Sequence, residues 1–283
     1  MKRYDNQRCE INLDLLKNDE YCFFVLSRIL QGECRLTITD NKRIIVCHSC
    51  DPYPVWIWLS DDATVEEMEQ AYVIARDHFD IENHRFNMKY SLAEYMIRRA
   101  AEDGLSLKIA INMLAYSCPN PIEPTKKVNG RCVPATSEDV ELVASYMDTF
   151  HIDCKVDIMS KERYREKAKE LIGDGRLFFW LDGDDKVAMC SYGISGEKGS
   201  INNVFTRTDM RRKGYAANIV YQVTKIVEAQ GKLPVLYTDA DYAASNACYE
   251  GIGYINQGSL CTIEETEFIK RYKTTNFNTN PKC

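Results

Sequence analysis

The sequence predicts an α/β protein built on a mixed (α+β) sheet and divided into two parts. Three observations predict it. Strand-like apolar runs alternate with amphipathic helical runs in both halves of the chain. Hydrophobic residues make up 45% and charged residues 28% of the 283, which suits a buried core under a solvated surface. Three prolines fall within Pro119–Lys127, where continuous helix is impossible and an extended segment is favoured. The expected division is residues 1–118, a linker over 119–130, and a second domain over 131–283.

The first elements follow from periodicity. Ile11 to Leu30 reads as a helix with Leu13, Leu16, Tyr21, Phe24, Val25 and Ile29 on one stripe, open to interruption at Asn18-Asp19. Cys34–Thr39 alternates as a half-buried strand, and Asp40-Asn41 turns it into Ile44-Ile45-Val46. Val55–Leu59 is a third strand. Thr64 and Glu67 have the spacing of a capping box, opening a helix whose apolar face is Val65, Met68, Tyr72, Ala75 and Phe79. After Arg85–Met88 comes a helix from Leu92 to Ala101, closed by Asp103-Gly104, and then a strand-like run from Leu105 to Ala115.

The second part opens with Cys132–Ala135 and an acidic helix start at Thr136–Asp139, whose helix turns Val140, Val143, Ala144 and Met147 inward. Ser160 to Leu171 forms a second helix. Leu177–Leu181 and Val187–Tyr192 flank Asp182–Asp185, a hairpin signal. The tail, Gly258 to Ile269, reads as a strand pair turned near Cys261, and Thr274–Cys283 as a frayed polar end.

Two stretches carry chemistry. Asn203–Thr206 is a short strand, and the turn after it contains Arg211-x-x-Gly214-x-Ala216 before a helix marked by Ile219, Val220, Val223, Ile226 and Val227. A helix's first turn has amides without partners and the positive end of its dipole, so it favours phosphate. Small residues at 214 and 216 permit close approach, and Arg211, Arg212 and Lys213 add cationic donors. The same pattern also describes an ordinary basic helix start. Downstream, the strand at Val235-Leu236 runs into Asp239–Asp241, and Asn246 and Tyr249 share one face of the helix that follows. Tyr249 taken alone suits an amphipathic core position equally well.

In this order and spacing the two stretches resemble the GNAT superfamily of acyl-CoA-dependent N-acyltransferases, over a little more than the second half of the chain. The resemblance implies a GNAT fold there, with acyl-CoA held where two parallel strands splay. It implies that Val204, Phe205 and Thr206 pair with the pantetheine arm and that Arg211, Arg212, Lys213, Gly214, Tyr215 and Ala216 take the diphosphate. Asn246 would hold the coenzyme arm. The catalytic pair it implies is the Val204 amide, polarising the thioester carbonyl, and Tyr249, protonating the leaving thiolate. The expected activity is transfer of an acetyl group from acetyl-CoA to a primary amine of a small or amino-acid-like acceptor, by direct attack in a ternary complex and without a metal. A protein or peptide amine acceptor, or a non-catalytic acyl-CoA sensor, are the alternatives; the intact loop argues against transfer from charged tRNA. Asp239, Asp241, Glu197, His151 and a water chain are all open as general base. Two departures stand out: no proline near Arg207 or Thr208, and Tyr242 where asparagine is frequent.

The front half has the element order of the back half of such a domain, yet Ser60–Glu67 opens its corresponding helix with acidic residues and no glycine, so a diphosphate would be repelled. The expectation is a degenerate, non-catalytic copy. A net charge of −6 argues against a general nucleic-acid binder and is compatible with a cationic amine acceptor. The twelve cysteines are scattered, and with no apolar leader or long uncharged span they suggest inert thiols in a reducing cytoplasm, without a membrane partner, as monomer or homodimer. Cys47-His48-Ser49-Cys50 is the only close pair, and no second pair with ligand spacing supports zinc.

Overall fold

The structure is a computed structural model and describes residues 2–5, 11–32, 34–154 and 158–267. The polar tail from Thr274 lies outside the described residues. The chain forms two compact units: Met1–Ala115 with Asp239–Asp241 and Gln257–Cys283, and Tyr116–Thr238 with Tyr242–Asn256.

In the first unit, β1 (Lys2–Asp5) pairs antiparallel with β2 (Leu36–Thr39), β2 with β3 (Ile44–His48), and β3 with β4 (Val55–Leu59). The polar β1 carries no apolar alternation and is not legible as a strand. Helix α1 is only Phe24–Gln31; Leu13–Asp19 ahead of it is 3-10 helix capped by Asn12, so the interruption expected at Asn18-Asp19 is real. Helix α2 (Val65–His78) begins with the anticipated capping box, Thr64 accepting from the Glu67 amide and Glu67 from the Thr64 amide. It leads to β5 (Phe86–Met88), parallel to β4, and then to α3 (Tyr90–Glu102) and β6 (Leu107–Ser117). Leu36, Val46, Ile57, Tyr72, Ala75, Phe86 and Met96 meet in its core.

The second unit contains β7 (Arg131–Pro134), α4 (Val140–Cys154), α5 (Lys161–Gly173), β8 (Leu177–Asp182), β9 (Asp185–Ser195), β10 (Lys198–Thr206), α6 (Tyr215–Ala229), β11 (Leu233–Asp239) and α7 (Ala243–Gly251). Strands β7 to β10 run antiparallel in sequence order, and β11 joins β10 in parallel. Gly199 on β10 lets α6 lie close: a Cβ there would come within 2.2 Å of Val227 Cγ1. The Pro119–Lys127 stretch belongs to this unit rather than standing apart. The Cys118 amide donates to the Pro234 carbonyl at 2.9 Å and the Ile122 amide to the Ile252 carbonyl at 2.6 Å.

One element corrects the sequence reading. The expected strand pair turned near Cys261 is a single strand, β12 (Ile255–Glu265). Cys261, Thr262 and Ile263 pair with Met88, Asn87 and Phe86 of β5, and the buried Thr262 hydroxyl donates to Asn87 Oδ1 at 2.7 Å. Polar residues that resemble a turn in sequence are here satisfied inside a sheet. Most of β12 therefore completes the first unit, so the units do not follow the 1–118, 119–130, 131–283 division.

Candidate active site

The site is built where β10 and β11 part. Their parallel register holds Lys198 against Leu233, Gly199 against Pro234 and Ser200 against Val235, and no farther. Beyond Ser200 the two strands diverge, and a wedge opens between their C-terminal ends. In an α/β sheet that end, outside the carboxyl ends of parallel strands, is where ligands bind.

A bulge adds to the wedge. Asn202 faces Ser191 and Phe205 faces Met189, so Asn203 and Val204 together oppose Cys190. Asn203 takes φ of 50°, which asparagine tolerates better than most residues, and its side-chain Nδ2 donates to Ser191 Oγ at 2.9 Å. The extra residue takes Val204 out of the regular ladder with β9. Phe205 then turns inward against Tyr146, ring centroids 4.7 Å apart. Thr206 Oγ1 is buried without a hydrogen-bond partner among the described residues. A buried hydroxyl left unsatisfied costs about 1–3 kcal/mol, so a polar ligand group beside it is favoured.

The loop after β10 leads to an uncapped helix. A 3-10 turn, Thr208–Met210, stands where related loops carry proline, tied by Arg207 to Asp209 at 2.7 Å. Arg212 and Gly214 both have positive φ, 61° and 106°. Gly214 is the N-cap of α6 and supplies no side chain to its amides, and the first-turn amides of any helix lack intrahelical acceptors. The glycine is needed for the backbone turn itself. A Cβ at 214 would point at Val128 Cγ1 (3.1 Å) and Lys126 Cδ (3.3 Å), so close approach of a phosphate is not what requires it. Asn218 fastens the same corner, donating to the carbonyls of Lys126 at 2.9 Å and Gly214 at 3.0 Å.

The cations behave differently from one another. Arg211 donates through Nε to the Thr206 carbonyl at 3.1 Å and through Nη2 to Asp153 at 2.5 Å, both side chains partly exposed. Lys213 reaches back to Met210 Sδ, and Tyr215 donates to Asp182. Ala216 follows in the first helical turn. Asp153 is invisible to sequence reasoning because it lies 58 residues away on the last turn of α4.

Asn246 and Tyr249 lie on α7 as expected. Tyr249 is buried, its ring 5.8 Å from that of Tyr254. Burial pushes its hydroxyl far above the ordinary phenol value, with Cys248, Cys190 and Cys154 adding to the rise. It is a neutral hydrogen-bond donor throughout the physiological range. Tyr242, the other departure, is exposed just ahead of α7 and caps nothing with its side chain.

Two of the base candidates find other roles. Glu197 sits at the far end of β10 from Val204, about 20 Å away at 3.3 Å per residue, and pairs with Lys232 at 3.2 Å. His151 is buried edge-to-face against Tyr164 at 5.3 Å, a packing residue. Asp239 and Asp241 group with the first unit, where Asn112 donates to Asp241 at 2.7 Å.

Comparison with known proteins agrees with this geometry. The family model described as FR47-like protein matches residues 181–263. Among solved structures, a Drosophila protein is similar with a TM-score of 0.63 at 12% identity, covering 91% of each chain. A GNAT-family acetyltransferase from Colwellia psychrerythraea gives 0.56 at 13% identity, over 94% of this chain and 100% of that one. The chain carries a GNAT-superfamily fold. A GCN5-related N-acetyltransferase from Kribbella flavida, at 0.57 and 13% identity over 86% and 93%, shares it. No curated protein matches the sequence. Among the described residues no helix is long and apolar enough to cross a membrane.

Proposed function

We propose that the second unit is an acyl-CoA-dependent N-acyltransferase, with acetyl-CoA as donor and a small or amino-acid-like primary amine as acceptor. The parting of β10 and β11 after Ser200, beside a bulge at Asn203-Val204, carries this reading. An extended pantetheine arm suits the open strand edge at Val204–Thr206, as an added strand would, and the orphaned Thr206 hydroxyl fits a polar group there. The Arg212–Ala216 amides and the positive end of α6 suit a diphosphate. Arg211 would serve it once exchanged from Asp153.

A neutral amine adds to the thioester carbon and forms the C–N bond; the C–S bond then breaks, the sulfur leaves as the CoA thiolate, and the nitrogen gives up its extra proton to solvent. The Val204 amide is the candidate to stabilise negative charge on the carbonyl oxygen. Tyr249 is the candidate donor to the leaving sulfur. A free thiol has a pKa of about 8.5, and the Tyr249 phenol sits well above that, so its contribution is a hydrogen bond more than completed proton transfer. Losing one such bond corresponds to roughly 10–100-fold in turnover, at 1.4 kcal/mol per tenfold.

The test combines acetyl-CoA titration calorimetry with a thiol-release screen of amines. Saturable binding, amine-dependent release, and a 10–100-fold lower kcat in Tyr249→Phe at unchanged acetyl-CoA affinity are expected. Binding without release from any amine would favour the sensor, and full turnover in Tyr249→Phe would remove the phenol from the reaction.

A further inference from the structure

At the end of the first unit's sheet where β4 and β5 begin, three side chains converge on one point. His48 ends β3, Asp51 lies in the turn after it, and His84 directly precedes Arg85 and β5. Their ligand-type atoms all lie within 4.8 Å of one another. Both histidines direct Nε2 at the same atom, Asp51 Oδ1, from 3.9 Å for His48 and 3.5 Å for His84. Neither separation makes a good hydrogen bond. Both are near the about 3.3 Å that separates two ligands held 2.0–2.1 Å from a tetrahedral centre.

The surroundings hold these atoms in place. Arg35 binds the other Asp51 oxygen, Oδ2, at 2.6 Å, which leaves Oδ1 for the imidazoles. His84 Nδ1 lies 2.9 Å from the Asp80 carbonyl; as an N–H donor there, it leaves the Nε2 lone pair facing inward. That arrangement, a ring nitrogen fixed by a backbone carbonyl, is how proteins orient a metal-binding histidine. Phe79 packs edge-on against both rings at 5.7 Å and closes one side with apolar surface. The Tyr53 carbonyl, 3.1 Å from His48 Nε2, stands next to the remaining position. His48 is buried, while Asp51 is 53% exposed and gives access from water.

We propose that His48, Asp51 and His84 form a binding site for a first-row divalent transition ion, Zn²⁺ being the form to test. The ion takes His48 and His84 through Nε2 and Asp51 through Oδ1, with a fourth position for the Tyr53 carbonyl or water. Two imidazoles and one carboxylate suit such an ion and are a poor set for Mg²⁺ or Ca²⁺, which prefer oxygen. Binding proceeds with His48 as the neutral Nδ1–H tautomer, its Nε2 contact to Tyr53 given up. The site ties the β3–β4 turn to the α2–β5 turn. It draws no ligand from the acyl-transfer cleft of the second unit. Neither Cys47 nor Cys50, the pair that marked this tetrapeptide in the sequence, is among its ligands; Cys47 faces the sheet and accepts from Thr37 at 3.3 Å.

The experiment uses the full chain, thiols reduced and metals stripped, titrated with Zn²⁺ against a chromophoric chelator, with Co²⁺ as spectroscopic probe. One equivalent is expected to bind in the wild type. Asp51→Asn and His84→Gln should each weaken it at least tenfold while melting like wild type in excess chelator. The Co²⁺ form should show d–d absorption without a thiolate charge-transfer band. No saturable equivalent in the wild type overturns the proposal, as does an equivalent that survives both substitutions or shows the thiolate band and so belongs to cysteines.

Discussion

Gly214→Ala separates two reasons for a glycine at the loop of the second unit. At φ of 106° an alanine is outside the regions open to L-residues, and holding it there costs about 1–3 kcal/mol. The added Cβ meets Val128 Cγ1 at 3.1 Å and Lys126 Cδ at 3.3 Å, tight contacts that the Lys126 chain relieves more readily than Val128. Gly104→Ala is the internal control, because Gly104 has φ of 79° and, among the described residues, nothing within 4 Å of where a Cβ would sit. The difference between the two variants is the packing cost at Val128 together with the extra backbone strain of φ at 106° over 79°. Calorimetry should place Gly214→Ala about 2–12 °C below wild type, using about 2–4 °C per kcal/mol for a chain of this size. To relieve the strain the loop must rotate its peptides, which re-aims the amides of Lys213 to Ala216. Acetyl-CoA affinity should therefore fall at least tenfold, while the Gly104→Ala protein binds normally. A Gly214→Ala protein as stable as wild type would refute the strain argument, and unchanged affinity would show that these amides do not meet the coenzyme.

Asp153→Asn releases Arg211 from an ion pair exposed by 37% and 44%, worth at most about 1 kcal/mol. Acetyl-CoA should bind up to about fivefold more tightly, and weaker binding would mean that Asp153 positions Arg211 instead of competing for it. Glu264→Ala leaves Arg85 buried without the carboxylate that holds it at 2.8 Å, and urea unfolding should show a loss of about 3–5 kcal/mol in the first unit; a loss under 1 kcal/mol would mean that water or Glu265 replaces it. Burial works to raise the Asp139 carboxyl, but Lys186 and the Thr136 amide outweigh it and hold its pKa below the ordinary value. Its stabilisation is thus present above about pH 4 and lost as pH falls through the lower folded value. Asp139→Asn should be less stable than wild type at pH 7, with the gap closing on acidification; a gap independent of pH would assign the loss to the amide's packing.

The helices and strands with strong periodicity were legible because one residue face decides them: α2 and its capping box, the β8–β9 hairpin, and α6. The loop at Arg211 and the pair Asn246 and Tyr249 were legible as a motif, although the reason first given for Gly214 was incomplete. What a sequence window contains is the φ that glycine permits; what it omits is the neighbour, here Val128, 86 residues upstream. The same omission hid Asp153 from Arg211 and His84 from His48. Strand β12 was misread since Thr262 and Glu264 look like surface residues until Asn87 and Arg85 come into place beside them. In each case the long-range partner that decides the position lies outside the local pattern.

The two units pose the same backbone problem and solve it with opposite chemistry. In the first, β4 and β5 pair in parallel only at Val55 with Phe86 and Trp56 with Asn87, and α2 connects them, as α6 connects β10 and β11. There, however, the start of α2 is already satisfied. Thr64 and Glu67 occupy two of its amide and capping positions, and Arg43 binds Glu67 at 2.5 Å and Asp62 at 3.0 Å. Past the strand ends, Lys89 is held between Asp19, at 2.6 Å, and Asp61. The cavity left among Ile57, Ser60, Asp61, Met68 and Lys89 is about 20 Å³, room for one water and not for a pantetheine arm. An incoming diphosphate would meet four carboxylates whose cations are already engaged. At α6 the N-cap is a glycine that offers its amides no side chain, Asp182 accepts from the Tyr215 hydroxyl, and Asp153 is bound to Arg211, a side chain that can turn away from it. Transplanting Ser60–Glu67 in place of the corresponding loop of the second unit should thus abolish acetyl-CoA binding with the fold intact. Retained binding would show that the strand edge alone suffices.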